Sequence, residues 1–124
     1  MGAAYLRPEE VTRGNQTTAG RWAIAKYGGP TTQVETLASV GTTVQRILVN
    51  NARRLGWIIY NRSGNSVDLS YGSSVTSGNG VPLPASNGFA TVSIDFEGEA
   101  PISEVWAVAS GAASSIYIIE YYRV

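Results

Sequence analysis

Few side chains in this chain of 124 residues could do chemistry. Four carboxylates, Asp95, Glu97, Glu99 and Glu104, gather around the segment FEGEAPISE. Oxygen-rich loops can hold calcium, and paired carboxylates can cleave glycosides. The spacing matches no EF-hand, so the cluster reads as a solvated turn rather than a cation site or a catalytic pair. Arg53 and Arg54, with Arg46 and Arg62 nearby, surround Trp57 and Tyr60. Basic residues interleaved with stacking aromatics suit single-stranded nucleic acid. Ordinary edge and turn charges give the same pattern. Gly78-Asn79-Gly80 is a glycine turn and not a phosphate loop, because no Lys-Ser/Thr follows it.

Histidine and cysteine are both absent. That removes the commonest general base, the base of a serine triad and the commonest transition-metal ligand. It also removes disulfides, thiolate zinc sites and thiol catalysis. The single lysine, Lys26, sits in a glycine-rich segment that is a poor place for a buried amine. The reading is therefore a non-enzyme, with no catalytic residue, metal or cofactor assigned. The aromatics are the remaining candidates: Trp22, Trp57, Trp106 and seven tyrosines. Such side chains serve interfaces and cores, and a flat exposed row would suit sugar stacking. Burial of Trp57, Trp106 and Tyr117 would count against a sugar platform.

Elements able to position these residues read as strands. Residues 1–32 differ from the rest: Gly14, Gly20, Gly28, Gly29, Pro8 and Pro30 interrupt them, and their apolar residues keep no period. They form an extended arm in this reading, with Trp22 to Tyr27 as its one strand-like piece. Aromatics in a polar segment argue for a partner, and Trp22, Ile24 and Tyr27 are the candidate partner-binding residues. From residue 33 the pattern is strand, turn, strand. Thr43–Asn50 is β-branched and apolar. Arg54–Asn61 puts Leu55, Trp57 and Ile59 on one face, and Ile58 and Tyr60 on the other. Arg62-Ser63-Gly64-Asn65 supplies a turn. Ser66–Tyr71 alternates, with Val67, Leu69 and Tyr71 inward and Asp68 on the polar face.

Residues 72–88 read as a long loop, because Pro82 and Pro84 bar a central strand. Phe89–Phe96 alternates with Ala90, Val92, Ile94 and Phe96 on one side. Ser103–Ala109 and Ser115–Tyr122 close the domain, with Glu120 pointing outward. Six or seven strands without a helix predict an all-β fold, a single β-sandwich of jelly-roll type over residues 33–124. The last strand is expected to be indispensable.

Composition fits a domain that hides surface in an assembly. Hydrophobic residues make up 44% and charged residues 15%, the latter below the usual ~25%. Nine basic residues balance nine acidic ones, which leaves no field to attract nucleic acid or an anionic membrane. Low charge favours self-association. No stretch approaches the ~20 apolar residues of a membrane span, and the opening MGAAYLRPEEVTRG does not read as a secretory signal.

Three segments resemble a pattern found in small tailed-phage structural proteins. They are the hairpin at Asn61–Val67, the loop VTSGNGVPL at Val75–Leu83, and VWAVASG at Val105–Gly111. The resemblance spans Arg54 to Tyr121, about half the chain, and brings no catalytic residues with it. It implies a β-sandwich on a virion, made in the host cytoplasm and placed on the capsid surface. A capsid decoration (cement) protein is the expectation. It would be a homo-oligomer, a trimer by this resemblance, bound to the major capsid protein and stabilising the head. A head-fibre or tail component, or an adsorption module for a cell-surface glycan, is the alternative.

Overall fold

The computed structural model describes residues 31–124. Trp22, Ile24 and Tyr27 lie outside the described residues, as does the arm up to Pro30. Thr31 and Thr32, assigned above to the arm, begin the first described strand.

Eight strands follow: β1 (Thr31–Val40), β2 (Gln45–Leu48), β3 (Arg54–Asn61), β4 (Val67–Ser70), β5 (Val81–Leu83), β6 (Phe89–Ser93), β7 (Val105–Ala109) and β8 (Ser114–Arg123). They form two four-stranded sheets, ordered β1-β8-β3-β6 and β2-β7-β4-β5. Every pairing is antiparallel, and β1 with β8, β2 with β7, β3 with β6, and β4 with β5 are all neighbours. The described residues thus form one long hairpin of nested pairs rolled over itself. That is the jelly-roll arrangement of a β-sandwich, as the sequence predicts.

Period-two alternation places the core. Trp57 and Ile59 of β3, Ile116 and Ile118 of β8, Val67 and Leu69 of β4, and Val105 and Ala107 of β7 point inward between the sheets. Val40, Leu48 and Leu83 complete the packing. Ala90 and Val92 of β6 lean on the same cluster.

Two departures from the predicted elements have local causes. The strand beginning at Phe89 stops at Ser93, and Ile94–Glu97 forms a helical turn, α1. Glu97 Oε1 accepts from the Ser93 N–H at 2.8 Å, and Gly98 ends the turn at φ 62°. A carboxylate reaching back to the first residue's N–H and a left-handed glycine are helix start and stop signals. Ile94 and Phe96 consequently leave the core face, and Phe96 is 86% exposed. A 3-10 turn, Ala100–Ile102, follows. Within the expected long loop, Val81–Leu83 forms β5, at the edge of its sheet. Pro82 is tolerated there because an edge strand needs only one set of ladder bonds.

Candidate interaction face

The expected chemical residues are dispersed or already engaged. Glu97 caps α1, and Glu104 pairs with Arg46 at 3.2 Å. Among the described residues, no group of three or more acidic, histidine or cysteine side chains could hold a metal ion.

The basic patch also dissolves. Arg54 is 2% exposed, against the expectation of a surface cation. Its Nε donates to Glu120 Oε1 at 2.9 Å. Nη1 donates to the carbonyls of Pro101 and Ser103, at 3.2 and 3.3 Å. Nη2 donates to Val49 O at 2.8 Å and also lies 2.9 Å from Glu120 Oε1. Glu120, read above as outward, is instead a half-buried counter-ion. Glu120 faces inward because it follows Ile116 and Ile118 on alternate positions of β8, and the register shift between Arg54 and Gly56 brings Arg54 opposite Tyr122 on that same face. Arg46 stays at the surface, with its guanidinium 5.9 Å from the Trp106 ring centroid.

At the opposite end, the three resemblance segments meet. Asn61 is fully buried. Its Nδ2 donates to the carbonyls of Asn65, Leu83 and Pro84, and its Oδ1 accepts from the Ser63 N–H and hydroxyl. Asn65 Nδ2 donates to Ser114 Oγ at 3.0 Å, and a Cβ on Gly111 would fall 2.6 Å from that Nδ2. In the middle segment the Gly80 N–H donates to Asp68 Oδ2 at 2.9 Å. Asp68, read as solvent-facing, is buried beneath this loop together with Val75. These motifs hold the fold together; none presents a reactive group.

What remains for function is the outer face of the β1-β8-β3-β6 sheet. Register aligns Leu37 with Tyr117, Tyr117 with Tyr60, and Tyr60 with Phe89. These four residues form one row across all four strands. The next row is Glu35, Ile119, Ile58 and Thr91, and the third is Gln33, Tyr121, Gly56 and Ser93. Leu37 is 63% and Phe89 61% exposed; Tyr60, Tyr117, Ile58, Ile119 and Tyr121 are half-buried. Rings of Tyr60 and Phe89 lie 5.7 Å apart, tilted by 36°. Tyr121 lies over Gly56, where a Cβ would fall on its ring and 2.8 Å from Val92 O. Glu35 accepts a hydrogen bond from the Tyr117 hydroxyl, and the face's other charged side chain, Arg123, lies at its end opposite Thr31.

Sequence reading put Ile58 and Tyr60 on the second face of β3, but the four-residue row exists only through register between strands. Trp57 is 3% exposed and Trp106 half-buried, and the Nε1 of each is buried without a hydrogen-bond partner. Beside Trp57, an apolar cleft of about 160 Å³ opens between β6 and β4-β5, rimmed by Tyr71 and Val81. Burial, then the charge of Glu97, raises the Tyr71 hydroxyl above the usual tyrosine range. Among the described residues no helix is long and apolar enough to cross a membrane.

The described residues thus define an all-β jelly-roll sandwich with an aromatic outer face. No protein-family profile and no curated protein matches the chain. Two solved structures resemble it. A subunit of Bacillus endospore appendages, described as a novel family of disulfide-linked pili, aligns at a TM-score of 0.47 and 13% identity, covering 76% of this chain and 87% of that chain. A chain of the cyanophage Pam1 capsid asymmetric unit aligns at a TM-score of 0.30 and 12% identity, covering 76% and 81%. Neither likeness carries a site residue across to this chain.

Proposed function

We propose that this chain is a non-enzymatic structural protein of a tailed-phage virion, a decoration protein that binds the major capsid protein and stabilises the head. The observation that carries the reading is the row Leu37-Tyr117-Tyr60-Phe89 on an outer sheet face. A sandwich that met only water would place polar residues there, and contiguous exposed apolar surface marks an interaction site. Aromatic side chains with few charges are the composition of interface cores. Jelly rolls serve capsids and lectins alike, and the ordered resemblance of three segments to phage structural proteins favours the first. In this reading the oligomer, expected to be a trimer, spreads each face over neighbouring capsomers. Many copies then give avidity without strong single contacts.

The test is co-sedimentation of the purified chain with phage heads lacking it, with Phe89→Asp as the comparison. Saturable binding that Phe89→Asp abolishes supports the reading. No binding at any concentration, together with absence of the chain from purified virions, overturns it. One observation favours a glycan-binding adsorption module instead: Tyr117, Tyr60 and Phe89 share one face. Retention on a polysaccharide matrix, lost on Tyr60→Ala with the heads unbound, would select that alternative.

A further inference from the structure

Of the four edge strands among the described residues, three are guarded against strand pairing. β2 carries a register irregularity between Arg46 and Leu48 and an exposed arginine. β5 has three residues, one of them Pro82. In β6, Glu97 already takes the Ser93 N–H. Bulges, charges, prolines and short length are the usual protections of sheet edges. β1 carries only one of them, the charge of Glu35, which is already engaged by the Tyr117 hydroxyl. Thr31–Val40 is ten residues long, contains no proline, glycine, lysine or arginine, and is exposed from Thr31 to Leu37.

Hydrogen-bond direction in β1 follows from its neighbours. Arg62 N–H donates to Ser115 O and Arg123 N–H to Arg53 O, so odd-numbered residues of β8 face β3 and even-numbered ones face β1. Even residues of β1 oppose even residues of β8 and exchange bonds with them. Thr31, Gln33, Glu35, Leu37 and Ser39 therefore point their backbone groups away from the sheet. At Ser39 that carbonyl is occupied, accepting from Gln45 Nε2 at 3.0 Å. Among the described residues, the open edge is Thr31 to Leu37.

In the sequence of that edge, TTQVETL, Thr32 and Thr36 stand symmetrically about Val34, and Gln33 mirrors the similarly shaped Glu35. We propose that β1 pairs antiparallel with β1 of a second copy of this chain across a two-fold axis at Val34, joining two four-stranded sheets into one of eight. This register brings Thr31 opposite Leu37, Thr32 opposite Thr36, and Gln33 opposite Glu35 of the second copy. All four open positions then form narrow pairs, each exchanging two hydrogen bonds; a shift of the axis by one residue leaves some of them out. Amide meets carboxylate at the Gln33–Glu35 pairs, and no like charges face each other. The two Val34 side chains, each 42% exposed, cover one another. The outer rows of the two copies become continuous. The strip is about 24 Å long and one strand thick, smaller than the ~800 Å² per partner of a standard interface. The contact is accordingly concentration dependent, and strengthened where copies are held side by side. It stands on edge geometry alone, whether or not the chain belongs to a virion.

Cysteine cross-linking in the full chain, which has no cysteine of its own, tests the register. Val34 meets itself as a non-hydrogen-bonded pair, with Cα atoms about 4.5 Å apart, within disulfide reach. Val34→Cys should form a disulfide-linked dimer on mild oxidation at high protein concentration, reversed by reductant. Thr36→Cys alone should remain monomeric on a non-reducing gel, because its partner is Thr32. An equimolar mixture of Thr32→Cys and Thr36→Cys should cross-link. A folded Val34→Cys that stays monomeric overturns the proposal, including the case in which residues 1–30 cover the edge. Thr36→Cys cross-linking as readily as Val34→Cys overturns it as well.

Discussion

Replacing Arg54 by Met should be among the most damaging single changes in this domain. Its guanidinium satisfies the carbonyls of Val49, Pro101 and Ser103 and neutralises Glu120. Met fills much of the volume but donates nothing. Three buried or partly buried carbonyls lose a donor, and Glu120, with its side chain 14% exposed, loses its counter-ion. An orphaned buried polar group costs about 1–3 kcal/mol. Breaking a buried ion pair by removing one partner costs about 3–5 kcal/mol in all, because relaxation and entering water recover part of the sum. A domain of this size has roughly 5–15 kcal/mol to lose. Urea denaturation should show the midpoint falling by a large fraction with the m-value unchanged. Glu120→Gln keeps an acceptor and should cost less. The double variant Arg54→Met, Glu120→Leu removes both charges and should recover part of the loss. Were Arg54→Met to cost under about 1 kcal/mol, or the double variant to cost the sum of both single changes, Arg54 would not be the buried hub described here.

Other outcomes follow from the same contacts. Asn61→Ala leaves three carbonyls and the Ser63 donors without their partner, and should cost about 2–3 kcal/mol by denaturant titration. Gly56→Ala sets a methyl against Tyr121 and Val92 O, and should cost about 1–3 kcal/mol, with Tyr121→Ala partly restoring stability in the double variant. Truncation before Ile118 removes most of β8, which lies between β1 and β3, and should abolish the cooperative unfolding transition. Tyr71 and Tyr122 titrate above the usual tyrosine range, each mainly through burial. Glu97 adds to the shift at Tyr71; at Tyr122, Glu120 adds to it and Arg54 opposes it. The folded state thus holds these protons more tightly than the unfolded one. Their contribution is intact below pH ~10 and is lost as pH rises through the folded values. Tyr71→Phe should reduce the alkaline fall in stability, read by denaturant midpoints at pH 9 to 11.

Local pattern was enough for the fold class. Alternation in Arg54–Asn61 and Ser66–Tyr71 marked strands, because a side-chain period of two is written directly in the order of residues, whereas the prolines of the 72–88 segment read as loop and hid the short edge strand Val81–Leu83. It failed where a polar or apolar residue answers to something distant. β1 was not singled out, since its inner positions Thr32, Val34 and Thr36 lie beyond the cover of the second sheet and need not be apolar. Ile94 and Phe96 kept the strand period, yet Glu97 and Gly98 turned them out of the core. Arg54 and Glu120 read as surface charges 66 residues apart in sequence; a bulge and three carbonyls from other segments made them a buried pair. The aromatic face was half legible. Ile58 and Tyr60 were visibly on the second side of β3, but which neighbours lay beside Tyr60 depended on register, a property of strand pairs and not of any one strand. The sequence by itself determined which segments become strands and which chemistry is impossible. Tertiary structure decided which charges are buried, which aromatics stand together, and that β1 is left with an open edge.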